Sequence, residues 1–253
     1  MLKPTERFSD RVENYVRYRP GYPPALLEIL RTRARLTAQS NVADIGSGTG
    51  IFTALLLPLS GRVFAVEPNA AMRLAAEQRF HRVPNFTSVA ASAEATTLPD
   101  HSVDLITAAQ AFHWFDPPTA RREFVRILRP DGQLALIWNE RETDTTPFLI
   151  GYEELLQTHA TDYQRIKQKQ TDGARIAAFF ASSAFERFTE PSEQRLDLTG
   201  LIGRALSSSY APNPGHPGHE KFLRELTRIF HAHAEQDTVA FRYQTRLYLG
   251  RLE

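Results

Sequence analysis

Residues 44–50 read Asp-Ile-Gly-Ser-Gly-Thr-Gly, and they stand between a short apolar run and a helical pattern. The run, Asn41–Ile45, has the length and composition of a buried strand, and the helical pattern continues from Ile51 to Leu56. Glycine suits the turn between them, because it adopts left-handed backbone angles and lets a ligand lie against the main chain. The stretch therefore predicts the nucleoside-binding corner of an α/β fold.

Glu67 and the spacing of the glycines narrow the choice of ligand. Glu67 ends the next apolar run, about 20 residues after Gly46, where a carboxylate can accept both hydroxyl hydrogens of a ribose. A dinucleotide fingerprint requires glycine or alanine at position 51, which is Ile51 here, and no Lys-Ser or Lys-Thr pair follows as in a phosphate-binding loop. The pattern favours an adenosine-type ligand over a nicotinamide dinucleotide.

Apolar runs alternate with helical patterns up to about residue 140, which predicts a parallel sheet covered by helices. Five strands are predicted in this half, at Asn41–Ile45, Gly61–Glu67, Asn85–Ala90, Ser102–Ala108 and Gln133–Trp138. Pro130–Gly132 predicts a turn before the fifth strand. Later segments predict a helix over Leu149–Gln170, helical segments through Ile176, around Leu201–Leu206 and over Glu220–Ala234, and strands at Phe185–Leu196 and Thr238–Leu249.

The composition is that of one large α/β domain. The 253 residues are 42% hydrophobic and contain no cysteine, which excludes disulfides, zinc–thiolate sites and cysteine nucleophiles. The net charge of +1 comes without a stripe of lysine or arginine, so no nucleic-acid partner is expected. The scattered histidines between His216 and His233 predict no metal site. With no signal peptide and no run of ~18 to 20 apolar residues, we expect a cytoplasmic protein without a membrane partner.

Five segments along the chain carry further information. They read D-I-G-S-G-T-G (44–50), V-E-P-N-A-A-M (66–72), A-S-A-E-A-T-T-L-P-D (91–100), S-V-D-L-I-T-A-A-Q-A-F-H-W-F (102–115) and I-L-R-P-D-G (127–132). In this order and spacing they resemble the class I S-adenosylmethionine-dependent methyltransferases. Tyr-Arg-Pro-Gly-Tyr-Pro, within residues 8–23, is similar to the N-terminal helix of a small-molecule branch that includes trans-aconitate methyltransferase-like proteins.

The resemblance implies an α/β fold. Its core is a Rossmann-like seven-stranded sheet with helices on both faces and an antiparallel last strand, plus a helical insertion or lid in the C-terminal part. The resemblance also implies a single methyltransferase domain over residues 1–253. The implied parts are N-terminal cap helices at 1–39, a cofactor-binding core at 40–140, a helical acceptor-side region with the sixth strand at 141–237 and the final strand at 238–253.

The resemblance further implies S-adenosylmethionine as the cofactor and S-adenosylhomocysteine as its product. The family's cofactor-binding positions match Asp44, Gly46, Ser47, Gly48, Thr49, Gly50, Glu67, Pro68, Met72, Ala93, Glu94, Gln110 and Ala111. Asp44 and the glycine turn would hold the methionine moiety, and Glu67 would hold the ribose hydroxyls. Met72 and Pro68 would flank the adenine. Ala93 and Glu94 match the position that recognises the adenine amino group. Gln110 and Ala111 would lie beneath the sulfonium.

Acceptor-side residues are predicted at the carboxyl end of the sheet and in the N-terminal helix. His113, just after the fourth strand, is a candidate acceptor-binding residue or general base, and the equal alternative is a packed histidine bonded to the backbone. Trp114, Tyr15, Arg19 and Tyr210 are candidate substrate-binding residues. By the resemblance, Tyr15 and Arg19 would meet the methionine carboxylate or an acidic acceptor.

The predicted reaction is methyl transfer to a small-molecule acceptor, such as a carboxylate or a hydroxyl, by in-line displacement. A carboxylate is nucleophilic without deprotonation, whereas a hydroxyl needs a base. Two alternatives stay open, a nucleic-acid methyltransferase and a non-catalytic module that binds S-adenosylmethionine. The first would use Asp116-Pro117-Pro118, but Thr119 stands where that motif has an aromatic residue, so a helix start capped by Asp116 is favoured. The oligomeric state is left open.

Overall fold

Seven strands form one sheet in the computed structural model, which describes residues 11–165, 173–181 and 184–252. The strands are β1 (Asn41–Ile45), β2 (Arg62–Val66), β3 (Phe86–Val89), β4 (Val103–Ala109), β5 (Leu128–Arg141), β6 (Phe185–Leu196) and β7 (Val239–Gly250). Their order across the sheet is β3-β2-β1-β4-β5-β7-β6. The first five are parallel, and β7 runs antiparallel to β5 and β6. The predicted Rossmann-like sheet with an antiparallel last strand is confirmed.

Helices cover both faces of the sheet. In the described residues they are α1 (Val12–Tyr18), α2 (Ala25–Thr32), α3 (Thr53–Leu56), α4 (Ala70–Phe80), α5 (Pro117–Ile127), α6 (Pro147–His159), α7 (Gly173–Phe180), α8 (Leu198–Leu206) and α9 (His219–His233), with 3₁₀ turns at Leu57–Leu59 and Phe112–Trp114. None of these described helices is long and apolar enough to cross a membrane. Ala43 and Ile45 of β1 pack into one core with α5 and α7, whereas Val42 packs into the other with α2 and α3.

A third core lies under the C-terminal helices. Tyr152 of α6, Phe222 of α9 and Phe241 of β7 are all buried there. The rings of Tyr152 and Phe241 meet edge to face, with their centres 4.9 Å apart. The last residue of β5 that pairs with β4 is Ile137, and β5 continues beyond it to Arg141. This extension of β5 makes the third core possible. The C-terminal helices that form this core, α6, α8 and α9, therefore lie beside the carboxyl ends of the parallel strands.

The predicted start of α5 is confirmed, and the predicted turn at Pro130–Gly132 is wrong. Asp116 caps α5 by accepting a hydrogen bond from Thr119 N at 3.3 Å. Further along, Val103 pairs with Leu128 and Leu105 pairs with Gln133, so β5 has three more residues between these pairs than β4. The surplus residues form a bulge inside β5, where a sheet accommodates proline and glycine.

The predicted helix over Leu149–Gln170 is wrong in its extent. The helix ends at His159, and the backbone of Ala160 is extended, with ψ at 146°. The next residue is held by a distant part of the chain, because Thr161 N donates a hydrogen bond to the carbonyl oxygen of Tyr210 at 2.8 Å. The end of the predicted range lies outside the described residues.

Helix α1 is held against α8. Arg11 is 7% exposed and donates hydrogen bonds to the carbonyl oxygens of Leu206 at 3.0 Å and Ala211 at 2.8 Å. Gly203 of α8 lies so close to Tyr18 that a Cβ there would be 2.1 Å from Cδ2 of the tyrosine ring. These contacts fix the described part of the predicted N-terminal cap, whose residues 1–10 lie outside the described residues.

The loop after β3 is fixed by Glu123 of α5. Its Oε1 accepts hydrogen bonds from Thr96 N at 2.7 Å and from Thr96 Oγ1 at 2.5 Å. Its Oε2 accepts a hydrogen bond from Arg126 Nε at 2.8 Å. The hydrogen bonds from Arg126, and then those from Thr96, outweigh burial and lower the pKa of Glu123 to about 2. The loop that Glu123 anchors carries Ala93 and Glu94.

Replacing Glu123 by Gln should destabilise the protein by about 1–2 kcal/mol at pH 7, because the amide loses the ion pair with Arg126 and keeps one acceptor for Thr96. The pKa of Glu123 is about 2 in the folded protein, below its ordinary value of 4.5. The contribution of Glu123 to the free energy of unfolding is therefore complete above about pH 4.5 and is lost as the pH falls toward 2. Urea unfolding of both proteins between pH 3 and pH 7 measures this difference.

Glu225→Gln is the control for this measurement. It removes an exposed ion pair with Arg228, and such pairs add little stability. An effect of Glu123→Gln that equals the effect of the control, or that does not change with pH, would contradict the role given to Glu123.

Candidate active site

The turn after β1 is built on three glycines with left-handed backbone angles. The angle φ is +68° at Gly46, +58° at Gly48 and +78° at Gly50. A Cβ at Gly46 would lie 2.5 Å from the Cβ of Ala111, and a Cβ at Gly50 would lie 2.4 Å from Cε2 of Phe80. Side chains are thus excluded at these two positions by both backbone angle and space, and the main chain of the turn stays accessible to a ligand.

Asp44 fixes the start of this turn from inside the sheet. Its Oδ2 accepts a hydrogen bond from Thr53 Oγ1 at 2.6 Å, and its Oδ1 accepts one from Thr107 Oγ1 at 2.8 Å. Asp44 is 1% exposed. Burial is the largest influence on its pKa and raises it to about 6, although both hydroxyl groups act in the opposite direction. Asp44 thus joins β1, α3 and β4 through its buried carboxylate.

Glu67 comes directly after β2 and contacts the same turn. Its Oε2 accepts a hydrogen bond from Gly48 N at 2.9 Å, and its Oε1 accepts one from Asn69 N at 2.8 Å. Burial raises the pKa of Glu67, while the two backbone N–H groups lower it by a smaller amount. Each oxygen keeps a second lone pair, so Glu67 can accept further hydrogen bonds from a diol.

A first cleft, with about 790 Å³ of empty space, opens beside Glu67. It combines this carboxylate with the apolar surfaces of Pro68, Met72 and Trp114. The complete lining is Tyr15, Gly46, Gly48, Glu67, Pro68, Asn69, Met72, Ser92, Ala93, Glu94, Ala109, Gln110, Ala111, Trp114 and Phe115. Apolar walls around a few placed polar groups are typical of a small-molecule site.

A second cleft, with about 460 Å³ of empty space, adjoins the first. The two clefts share Tyr15, Gly46, Ala109 and Gln110. The other residues of the second cleft are Arg19, Pro20, Tyr22, Asp44, Ser47, Ile51, Phe52 and Asn139. Groups of opposite charge therefore line this cleft, the carboxylate of Asp44 and the guanidinium of Arg19.

Polar groups of the second cleft have hydrogen-bonding capacity that the described chain does not use. Ser47 Oγ and Arg19 Nε are buried without a hydrogen-bond partner among the described residues. Nη2 of Arg19 donates to the carbonyl oxygen of Ser207 at 2.9 Å, and its Cζ lies 4.9 Å from the centre of the Tyr15 ring. Gln110 has a φ of +58°, a strained backbone angle that clusters at functional sites. A polar ligand would satisfy the unused groups.

Most of the predicted cofactor residues lie around the two clefts. They are Asp44, Gly46, Ser47, Gly48, Glu67, Pro68, Met72, Ala93, Glu94, Gln110 and Ala111. Thr49 and Gly50 lie behind the turn, where Thr49 is 2% exposed and Gly50 faces the ring of Phe80. Among the predicted acceptor residues, Tyr15, Trp114 and Arg19 line the clefts.

His113 and Tyr210 are not in the lining of either cleft, and their predicted roles stay predictions. His113 is 5% exposed, and its ring centre is 4.7 Å from that of Trp114. Tyr210 follows α8, with its ring centre 5.0 Å from that of Tyr163. Burial alone raises the pKa of Tyr210, but the charges of three nearby arginines together lower it. No group of three or more potential metal ligands occurs among the described residues.

Asn139 and Asn69 line the clefts without having been predicted from the sequence. Asn139 Nδ2 donates to the carbonyl oxygen of Gly21 at 2.8 Å, and its Oδ1 accepts a hydrogen bond from Thr245 Oγ1 at 2.7 Å. Asn69 caps α4 by accepting a hydrogen bond from Met72 N. A signal was present for Asn139, because it follows the apolar run of β5 at the edge where α/β sheets bind ligands.

The fold and the clefts together resemble those of one class of protein. A glycine turn after the first strand and a carboxylate after the second, in a seven-stranded sheet whose last strand is antiparallel, make up the class I methyltransferase arrangement. Residues 43–136 match a family model described as a methyltransferase domain. The predicted resemblance to class I methyltransferases is confirmed, and the match to the family model covers the part of the chain from β1 to β5.

Two relatives and one solved structure show how far the similarity extends. A methyltransferase-like, uncharacterized protein of Schizosaccharomyces pombe is 33% identical over 156 residues, 61% of this chain and 59% of the relative. A Saccharomyces cerevisiae protein named "Probable S-adenosylmethionine-dependent methyltransferase CRG1" is 31% identical over 127 residues, 48% of this chain and 43% of the relative. The chain thus spans less than two thirds of either relative. A structure assigned as a type II methyltransferase from Anaeromyxobacter dehalogenans shares the fold, with a TM-score of 0.66, 24% identity and coverage of 93% and 98%.

Proposed function

We propose that the protein binds S-adenosylmethionine and transfers its methyl group to a small-molecule acceptor. The observation that carries this proposal is the combination of two adjoining clefts, one with a carboxylate and apolar walls, the other with a carboxylate and a guanidinium. The first suits a nucleoside, and the second suits the zwitterionic end of an amino acid. S-adenosylmethionine joins these two parts at its sulfonium. The name of the Saccharomyces cerevisiae relative supports the choice of cofactor.

The first cleft would hold the adenosine part. Glu67 would accept hydrogen bonds from the ribose hydroxyls through the lone pairs that Gly48 N and Asn69 N leave free. Met72 offers an apolar surface to the adenine ring. Glu94 Oε1 already accepts a hydrogen bond from the backbone N–H of residue 116 at 2.9 Å, which orients this carboxylate at the rim of the cleft for the adenine amino group.

The second cleft would hold the methionine end. The carboxylate of Asp44 attracts the ammonium group, and the guanidinium of Arg19 attracts the carboxylate. Ser47 Oγ and Arg19 Nε supply hydrogen-bonding groups that are unused within the described chain. The absence of a side chain at Gly46 lets the ligand pass from one cleft to the other along the main chain.

S-adenosylmethionine would supply an activated methyl group, so the protein has to align the acceptor with it and exclude water. Gln110 lines both clefts at the place where the two parts of the cofactor would meet. Its position is fixed, because its N donates to the carbonyl oxygen of Ile137 at 2.8 Å and its Nε2 donates to that of Asn139 at 3.0 Å. Tyr15 lines both clefts as well and would cover the cofactor from α1.

Calorimetric titration should show binding of S-adenosylmethionine and S-adenosylhomocysteine in the micromolar range, roughly −8 kcal/mol, with no comparable binding of NAD. Glu67→Gln should weaken both adenosyl ligands by about tenfold or more, because the amide has one acceptor oxygen and presents its NH₂ group to a backbone N–H. The carboxylate has two acceptor oxygens, and each already serves one N–H.

The matched control is Glu77→Gln. Glu77 is in α4, accepts a hydrogen bond from Ser88 and lines neither cleft. A folded protein that binds neither adenosyl ligand would overturn the proposed function. Equal affinities in the Glu67 and Glu77 variants would overturn only the role of Glu67.

The affinity for S-adenosylmethionine should fall about tenfold between pH 7 and pH 5, because Asp44 has a pKa of about 6 and loses its attraction for the ammonium when it is protonated. Asp44→Asn should bind more weakly at pH 7 and should show a flatter pH profile. The folded-state pKa of Asp44 lies above its ordinary value of 3.8, so protonation of Asp44 stabilises the folded protein. Unfolding caused by protonation of Asp44 therefore does not explain the lower affinity at pH 5. An affinity independent of pH would contradict this role.

His113 is proposed to bind the acceptor or to remove its proton. If it acts as the base, His113→Asn should lower turnover by about 10²–10⁴-fold and leave the affinity for S-adenosylhomocysteine within about twofold. His101→Asn is the control, because His101 bonds to the carbonyl oxygen of Leu128 and precedes β4, at the opposite end of the strand from His113. Unchanged turnover of an acceptor that the wild type methylates would remove the base assignment.

A further inference from the structure

Three neighbouring strands supply polar groups to the second cleft. Asp44 lies on β1, Gln110 directly follows β4 and Asn139 lies on β5, and these strands are adjacent in the sheet. Adjacent strands are about 4.8 Å apart, so Asn139 stands on the far side of the cleft from Asp44. Asn139 is 8% exposed, and the cleft is where its side chain can meet a ligand.

The amide of Asn139 is held in one orientation by two hydrogen bonds. Its Nδ2 donates to the carbonyl oxygen of Gly21 at 2.8 Å, and a carbonyl oxygen can only accept. Its Oδ1 accepts from the hydroxyl of Thr245, a fully buried residue of β7, at 2.7 Å. Reversal of the amide would place two oxygens against each other at Gly21. The NH₂ group of Asn139 therefore faces the loop between α1 and α2, and its oxygen faces β7.

One hydrogen of this NH₂ group is not used by the described part of the chain. An asparagine nitrogen carries two hydrogens, and Nδ2 of Asn139 makes a single hydrogen bond to a described residue, the bond to Gly21. The oxygen of the amide already accepts from Thr245, so what the amide offers the cleft is a donor. A buried donor without an acceptor is costly, and an oxygen atom of a ligand in the cleft would satisfy it.

The loop that Asn139 binds also carries the cationic group of the second cleft. Arg19 is two residues before Gly21, lines the cleft and has a buried Nε without a hydrogen-bond partner among the described residues. Asn139 and Arg19 thus offer two donors on the side of the cleft that lies away from Asp44. A group that suits two donors and one positive charge is an anion with two acceptor oxygens, as in a carboxylate.

We propose that Asn139 donates its second amide hydrogen to the carboxylate at the methionine end of the cofactor, and so selects adenosyl ligands that carry this carboxylate. The inference rests on the proposed function. Arg19 supplies the charge, and Asn139 supplies the direction, because Gly21 and Thr245 fix its amide. The main-chain oxygen of Asn139 also accepts a hydrogen bond from Nε2 of Gln110 at 3.0 Å. The carboxylate site is therefore connected to the residue that lines both clefts.

The test compares two ligands that differ only in this carboxylate. They are S-adenosylhomocysteine and its decarboxylated analogue, which keeps the adenosine, the sulfur and the amine. Calorimetric titration at pH 8 should show that the wild-type protein binds S-adenosylhomocysteine about tenfold or more tightly than the analogue. The reason is that S-adenosylhomocysteine alone has an acceptor for the donors of Asn139 and Arg19.

Two variants connect this preference to Asn139. Asn139→Ala removes the donor and should weaken the binding of S-adenosylhomocysteine by about tenfold. Asn139→Asp replaces the donor by a carboxylate and should weaken it by about a hundredfold, because two like charges then face each other. The analogue has no carboxylate, so its affinity should fall by no more than about twofold in either variant. The comparison of the two ligands on the wild-type protein covers the case in which neither variant folds.

Asn41→Asp is the matched control for both variants. Nδ2 of Asn41 also donates to a main-chain carbonyl oxygen, that of Ser102 at 3.1 Å. Asn41 begins β1, at the opposite end of the sheet from the two clefts. The control makes the same chemical change and removes the same kind of hydrogen bond, and it should bind both ligands as the wild-type protein does.

Three outcomes would overturn the inference and leave the proposed function standing. They are equal binding of the two ligands by the wild-type protein, a folded alanine or aspartate variant with wild-type affinity for S-adenosylhomocysteine, and a variant that loses the same factor for both ligands. The third result would show that Asn139 only holds the loop at Gly21. A folded wild-type protein that binds neither ligand would overturn the proposed function together with the inference.

Discussion

The buried carboxylate of Asp44 is the constraint on which both clefts depend. It accepts hydrogen bonds from Thr53 at the start of α3 and from Thr107 of β4, so the turn leaves the sheet in one direction only. The raised pKa of Asp44 reflects the cost of removing this carboxylate from water, which the two hydroxyl groups offset only in part. With the turn fixed, Gly46 N reaches the carbonyl oxygen of Val66 at 2.8 Å, and the end of β2 is held beside it.

Much of the site could be predicted because local sequence determines it. Strands β1 and β6 have the predicted bounds, Asn41–Ile45 and Phe185–Leu196, since their residues carry the apolar or alternating pattern of a strand. Asp44, Glu67 and Gln110 lie in or directly after parallel strands. The carboxyl ends of parallel strands meet at one edge, so the order of the segments in the chain is enough to bring these residues together.

The remainder depends on contacts between distant parts of the chain. Helix α6 ends at His159 although a helical pattern continues, since Thr161 is bonded to the carbonyl oxygen of Tyr210. Arg204 is the only charged residue of α8, and its partner Tyr243 is 39 residues away. Such pairs form only when the C-terminal helices have packed on β7, and no local sequence pattern predicts this packing. A charged residue within the apolar stretch of α8 was the one visible sign.

Charge is distributed unevenly around the two clefts, and the distribution has a consequence for orientation. The carboxylates of Asp44 and Glu67 come from the ends of β1 and β2, whereas the guanidinium of Arg19 comes from the residue after α1. A cofactor with its ribose and ammonium on the acidic side and its carboxylate on the basic side has one orientation with favourable charge contacts.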